Sequence, residues 1–228
     1  MKALRRNLAL VAVALLALPL ATAARAPLNS GEQSKNAARI FADAETAMLH
    51  AKNFHVVAHL VEGSTSLSLN LSMSPDGGGG SIIQPGVDMN IIVAGKYVYV
   101  KADYKTWLSL KEKQSVAKTL ADKWIKAPAS TQDFADFVDL TVSTTFVDQF
   151  VAGPGKLSKL PGTTKWDGQG AIVLTDTSGD RIYVADSGTP YLLRIAGTGS
   201  LSVDTIDFSD YGTAAMPAVP TAYIALPG

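Results

Sequence analysis

The stretch STSLSLNLSMS, residues 64–74, decides the fold of this chain. From Ser66 onward it alternates apolar and small polar residues without interruption. Its apolar positions are Leu67, Leu69, Leu71 and Met73. Because successive side chains of a β-strand point to opposite faces, the pattern predicts a strand with one apolar and one polar face. Such a strand belongs to an antiparallel sheet with one covered face, and protein, lipid or a small molecule could cover it.

Further strands are predicted on both sides of this one. The run of glycines at residues 76–80, DGGGG, is interpreted as a turn between two of them. Short spacing between strands is typical of an antiparallel meander. Which parity of residues 97–101, YVYVK, faces inward stays open, because both parities are apolar or aromatic. The predicted strands are residues 54–62, 64–74, 80–84, 87–94, 97–101, 107–110, 124–127, 165–166, 171–176, 181–186, 191–197 and 201–208.

Helical patterns interrupt the strands. Residues 37–51 place apolar side chains at offsets 0, 1, 4, 7, 8 and 11 from Ile40, which predicts an amphipathic helix. Three shorter helices are predicted at residues 114–123, 130–139 and 144–151. The order helix, strands, helices, strands indicates the α+β class, with a single domain over residues 37–216. Residues 24–36 are predicted to form a flexible leader and residues 217–228 an extended tail.

Composition excludes several functional classes. The chain has 228 residues, of which 47% are hydrophobic and 18% charged, as in globular proteins. Twenty basic and twenty acidic residues balance, so no nucleic-acid partner is indicated. The absence of cysteine removes disulfides, thiolate catalysis and lipidation on cysteine.

The first 23 residues are predicted to be a signal peptide. Lys2, Arg5 and Arg6 precede an apolar run at residues 8–20, and Ala21 and Ala23 provide a small-x-small cleavage pattern, with a second one ending at Ala26. Thirteen apolar residues are too few to span a bilayer as a helix, which takes roughly 20. We therefore expect an exported protein without a membrane anchor, in the periplasm, the cell envelope or the medium.

The sequence contains no recognisable set of catalytic or metal-binding residues. His55 and His59 lie four residues apart on a predicted strand, but neither an adjacent glutamate nor an acidic cluster accompanies them. Ser115 and Lys118 fit the S-x-x-K pattern, but the S-D-N and K-T-G motifs that accompany it in penicillin-recognising enzymes are absent. The sequence therefore predicts a non-enzymatic protein without a cofactor. The enzymatic alternative is a hydrolase that uses Ser115 or the histidines.

Several stretches together resemble one family. They are GKYVYVK at residues 95–101 with Trp107, KWIKAP at 123–128, GQGAIVL at 168–174, RIYVA at 181–185, GTPYLLRI at 188–195 and IDFSDYG at 206–212. In this order they resemble the LppX/LprA/LprF/LprG family of exported lipoproteins, which shares the open-barrel fold of the lipoprotein carriers LolA and LolB. The family has a lipobox cysteine after its signal, which residues 21–25 lack.

The resemblance implies a strongly curved antiparallel half-barrel of about 10–11 strands wrapped around short helices, LolA-like, with a cavity for acyl chains. The implied function is a carrier of lipids, glycolipids or lipoproteins that contacts a membrane or membrane protein transiently and acts as a monomer. A ligand-free envelope adaptor on the same fold is the alternative. Apolar strand and helix positions are the candidate lining: Leu67, Leu69, Leu71, Met73, Met89, Ile91, Val93, Phe134, Phe137, Phe146 and Phe150.

Overall fold

The computed structural model describes residues 31–62, 65–131, 134–151, 153, 155–197 and 203–226. A short 3-10 helix, Glu32–Ser34, precedes the regular elements. The α-helices are α1 Ala37–His50, α2 Tyr104–Ser109, α3 Gln114–Leu120, α4 Ala135–Thr141 and α5 Ser143–Phe150. The strands are β1 Phe54–Glu62, β2 Thr65–Ser74, β3 Gly77–Gln84, β4 Val87–Ala94, β5 Tyr97–Ala102, β6 Ile125–Pro128, β7 Ser158–Lys159, β8 Thr164–Trp166, β9 Gln169–Thr175, β10 Arg181–Ala185, β11 Leu192–Ala196, β12 Val203–Ser209 and β13 Ile224–Ala225.

All thirteen strands belong to one curved sheet. Its order is β13-β6-β5-β4-β3-β2-β1-β12-β11-β10-β9-β7, and β8 also pairs with β9. Every pairing is antiparallel except that of β13 with β6. Within the described residues, strands β13 and β7 at the two ends of this order do not pair with each other, so the sheet stays open. The predicted α+β class with a large curved antiparallel sheet is confirmed; β7, β8 and β13, of two or three residues each, bring the count above the predicted 10–11.

The inner face of the sheet carries the alternation that the sequence predicted. On β2, Leu69, Leu71 and Met73 are buried, and their partners on β1 are Ala58, Val56 and Phe54. The serines of β2 lie on the opposite, outer face. Strand β5 follows the same rule with Val98 and Val100 inward in the main core and Tyr97 and Tyr99 outward, which answers the open question of its parity.

Helices cover the inner face. Helix α1 buries Ile40, Phe41, Ala44 and Met48 in the main core, as its predicted stripe requires. Its N-cap is Asn36, whose side-chain oxygen accepts a hydrogen bond of 2.9 Å from the backbone N–H of Arg39. Helix α5 adds Phe146 and Val147 to the same core. The inner face of the sheet and the helices therefore pack against each other around one apolar interior.

The residues just before α1 are bound to it. Lys35 Nζ lies 2.6 Å from Glu32 Oε1 and 2.7 Å from Asp43 Oδ2. The hydrogen bond from Lys35 lowers the pKa of Asp43. Lys159 Nζ on β7 donates to the backbone oxygens of Gln33 and Lys35 at 2.7 and 2.9 Å. Residues 31–36, which the sequence places in a leader, thus lie against α1 and one edge of the sheet.

Two local predictions are wrong. The glycine run is not a turn: Pro75 and Asp76 make the turn, and β3 begins at Gly77. Residues 107–110 do not form a strand, because Trp107 lies in helix α2. The N-cap of this helix is Asp103, whose carboxylate accepts a 2.7 Å hydrogen bond from the backbone N–H of Thr106. This cap outweighs the β propensity of the aromatic residue.

Candidate functional site

A cleft of about 570 Å³ lies between the inner face of the sheet and the two helices α2 and α3. We call it the apolar cleft. It is partly open to solvent, and its volume is within the range of small-molecule sites, roughly 300–1,000 Å³. Its lining residues are Met89, Val100, Trp107, Leu110, Glu112, Leu120, Ala127, Thr131, Phe134 and Leu226.

Strand parity and one buried threonine position the walls of the cleft. Met89, Val100 and Ala127 are inward residues of the adjacent strands β4, β5 and β6. Helix α2 is attached to β4 through Thr106, whose hydroxyl accepts from the N–H of Asp88 at 3.0 Å and donates to its carbonyl at 3.2 Å. Helix α2 packs on β4 beside the cleft, whereas α5 packs on β2 and α1 packs on α5, β10 and β11.

The mouth of the cleft is marked by its exposed lining residues. Leu110, at the end of α2, is 39% exposed, and Leu226, after β13, is 36% exposed. Strand β13 is held to β6 by hydrogen bonds of 2.8 Å from Ile224 N to Trp124 O and from Leu226 N to Lys126 O. Apolar side chains therefore reach from the interior to the rim, and Glu112 is a charged residue of the same lining.

One polar group in the wall lacks a partner. The indole of Trp107 is 5% exposed, and its Nε1–H is buried without a hydrogen-bond acceptor among the described residues. An unsatisfied buried donor costs about 1–3 kcal/mol. Most buried polar groups are paired, so this N–H would favour an acceptor oxygen of a ligand once a shift of the side chain uncovers it.

The structure divides the eleven predicted lining residues. Met89 and Phe134 line the apolar cleft. Leu67 and Phe150 pack partly buried against the main core. The side chain of Phe137, on α4, lies outside what the structure describes. The remaining six are buried in the main core beneath the helices: Leu69, Leu71, Met73, Ile91, Val93 and Phe146.

Most of the cleft wall is not among the predicted lining residues. Val100, Leu120 and Ala127 belong to short elements whose inward faces carry no long alternation. The sequence pattern predicts a strand at Trp107, although Asp103, three residues before Thr106, is a recognisable N-cap signal for a helix. That signal could have placed Trp107 on the face of α2 that turns towards the sheet.

A second cleft, of about 740 Å³, lies at the other side of the sheet around β11 and β12. Tyr191 and Tyr211 stack there with ring centroids 3.9 Å apart, and the Tyr211 hydroxyl donates to Leu192 O at 2.7 Å. Burial raises the pKa of Tyr211. Arg194 lies 3.1 Å from Asp207 and 4.1 Å from the centre of the Trp166 ring. These groups satisfy one another, and the arrangement is accounted for by packing.

The histidines and Ser115 lie away from both clefts. The Nδ1 atoms of His55 and His59 are 3.2 and 3.1 Å from the hydroxyls of Ser72 and Ser68, across the outer face of β1 and β2. Ser115 is exposed at the start of α3. Within the described residues, no group of three His, Asp or Glu side chains could hold a metal ion.

The structural class of the chain is an open, strongly curved antiparallel sheet that wraps around short helices. The particular likeness is to LprF from Mycobacterium bovis, with a TM-score of 0.51 and 14% identity over 85% of this chain and 99% of that one. This confirms the predicted resemblance at the level of the fold. LppX, a Mycobacterium tuberculosis lipoprotein, matches with a TM-score of 0.47 and 13% identity over 78% of this chain and 98% of that one.

An uncharacterised conserved protein from Thermus thermophilus has a TM-score of 0.38 and 11% identity over 83% of this chain and 98% of that one. No family model matches the chain. No curated protein matches it either. None of the helices in the described ranges combines the length and the apolar composition needed to cross a bilayer.

Proposed function

We propose that the protein is an exported, non-enzymatic carrier that shields acyl chains of a lipid, glycolipid or lipoprotein in the apolar cleft. The observation that carries the proposal is the cleft itself, a largely apolar space between sheet and helices that Trp107 lines, with its unpaired Nε1–H buried beside it. The family resemblance of the sequence supports the same function. The predicted signal peptide supports a location in the periplasm, the cell envelope or the medium.

The energetics of acyl chains explain why such a carrier would be needed. Burying one methylene group is worth about 0.8 kcal/mol, so a sixteen-carbon chain gains about 13 kcal/mol on leaving water. A free chain therefore does not cross an aqueous gap at a useful rate. A carrier must offer an affinity close to that of the bilayer, and a partly open cleft with a few polar contacts can both load and release.

Trp107→Phe tests the cleft as the binding site. The phenyl ring keeps an apolar wall and removes the donor, so we expect binding of a fluorescent acyl ester to weaken about tenfold, the effect of one net hydrogen bond. Binding of a fluorescent hydrocarbon of the same length should change little. Removing the unsatisfied donor stabilises the fold and the smaller ring destabilises it, so the two effects on the free energy of unfolding oppose each other. Fluorescence titration measures both affinities.

The two ligands act as controls for each other. An equal loss for ester and hydrocarbon would mean that Trp107 acts only through packing. No uptake of either probe by the wild-type protein would contradict the carrier function.

A second candidate, a ligand-free envelope adaptor, is favoured by the closed packing beneath β2. Leu69, Leu71 and Phe146 are buried in a core that the protein's own helices fill. Under that function the apolar cleft would be incidental, and probe uptake would be absent while the fold is intact. Uptake of the acyl probe therefore distinguishes the two candidates.

A further inference from the structure

Positive charge is concentrated in one segment of the chain. Residues 96–126 contain eight lysines and three acidic residues, a formal charge of +5. The other residues from position 31 to the end contain eight basic and seventeen acidic side chains, a formal charge of −9. A near-neutral protein thus carries a strongly asymmetric distribution, and such an asymmetry orients a protein at a charged surface.

Five of these lysines lie on the helical hairpin of α2 and α3, residues 104–123, which we call the basic hairpin. Its apolar side chains Trp107, Ala117 and Leu120 are buried against the sheet. All five lysines are exposed, and none forms an ion pair with another described residue. They are Lys105, Lys111, Lys113, Lys118 and Lys123.

The basic hairpin also carries the mouth of the apolar cleft. Leu110, which lines the cleft and is exposed at its rim, directly precedes Lys111. Lys111 has a positive φ of 66°, so the chain reverses at the tip between the two helices. An exposed leucine among lysines matches the interface of a bilayer, where the apolar side chain enters the acyl boundary and ammonium groups meet phosphates.

We propose that the basic hairpin is a docking surface for an anionic lipid bilayer, and that docking brings the mouth of the apolar cleft against the membrane. The inference rests on the proposed carrier function, because a cleft that loads acyl chains must meet the membrane at its open side. Charge complementarity selects the occupant: the hairpin attracts anionic phosphates, whereas the acidic remainder of the protein is repelled by them. The uneven charge distribution of the protein thus sets its orientation at the membrane.

The test is partition of the full chain onto vesicles of phosphatidylcholine with and without phosphatidylglycerol. The triple variant Lys111→Gln, Lys113→Gln, Lys118→Gln is compared with Lys52→Gln, Lys156→Gln, Lys165→Gln, which removes three exposed lysines elsewhere and changes the net charge equally. Since each lysine near an anionic surface is worth about 1 kcal/mol, we expect the hairpin variant to bind anionic vesicles about 100-fold more weakly and the control to stay close to wild type.

Wild-type binding should also fall when salt is raised to about 0.5 M, because the charges are then screened over a few ångströms. Equal losses in the two triple variants, or equal wild-type binding to neutral and anionic vesicles, would overturn the docking surface. Uptake of the acyl probe from solution is measured on the same samples. Probe uptake without charge-dependent docking would refute this inference alone, whereas docking without uptake would refute the carrier function and leave the surface standing.

Discussion

Replacing Ala127 with phenylalanine is expected to abolish uptake of a fluorescent acyl probe while the protein stays folded. Ala127 is an inward residue of β6 that lines the apolar cleft and is 3% exposed. A phenyl ring at this position enters the space that the ligand would occupy. Because the cleft provides about 570 Å³, the larger side chain fits without the overpacking that a closed core would impose. Fluorescence titration measures uptake, and circular dichroism checks the fold.

Two further variants serve as comparisons for Ala127→Phe. Ala42→Phe makes the same change on the exposed side of α1 and should leave uptake unaltered. Leu69→Trp instead enlarges a side chain that is 2% exposed between Ala58 and Ile82, so we expect it to lower the free energy of unfolding by about 1–3 kcal/mol. A stable Leu69→Trp protein that no longer takes up the probe would place the cavity beneath β2 instead.

Gly80→Ala is expected to be among the most destabilising single substitutions, with a loss of about 3 kcal/mol or more in the free energy of unfolding. Gly80 has a φ of +152°, and a Cβ built on it would overlap the carbonyl oxygen of Asn70 on β2. Both the backbone conformation and the approach of the neighbouring strand therefore require glycine. Urea unfolding monitored by tryptophan fluorescence measures the change.

Gly95→Ala is the matched control. Gly95 also has a positive φ, +57°, in the turn between β4 and β5, but a Cβ there would meet no atom within 4 Å. Its cost should be about 1–2 kcal/mol, which is the backbone preference alone. If Gly80→Ala cost no more than Gly95→Ala, close strand approach at the glycine run would not be the reason for its sequence.

The parts of the fold that were predicted correctly are those with a long local pattern. Strand β2 has four apolar residues at strict alternation, and α1 has a full apolar stripe. The prediction for the glycine run is wrong because the role of these glycines is non-local. Carbonyl groups of β2 and β4 approach β3 so closely that a Cβ at Gly79 or Gly80 would overlap them. No residue within the run indicates those neighbours, so composition alone favoured a turn.

The candidate site was less predictable than the fold for a related reason. Alternation identifies which residues face inward, but it does not say whether a helix fills the space above them. Met73 and Met89 are equally apolar and both buried, yet only Met89 lines the apolar cleft. The difference lies in which helices cover each part of the sheet. That covering depends on distant contacts such as those of Thr106 with Asp88.

Mass spectrometry of organic extracts from natively purified protein shows whether the apolar cleft carries acyl chains. The wild-type protein should yield a defined acyl-chain lipid in near-stoichiometric amount, and the Ala127→Phe variant, purified in parallel, should yield none. Repeated extraction of wild-type protein without any bound lipid, together with no uptake of the acyl probe, would contradict the claim.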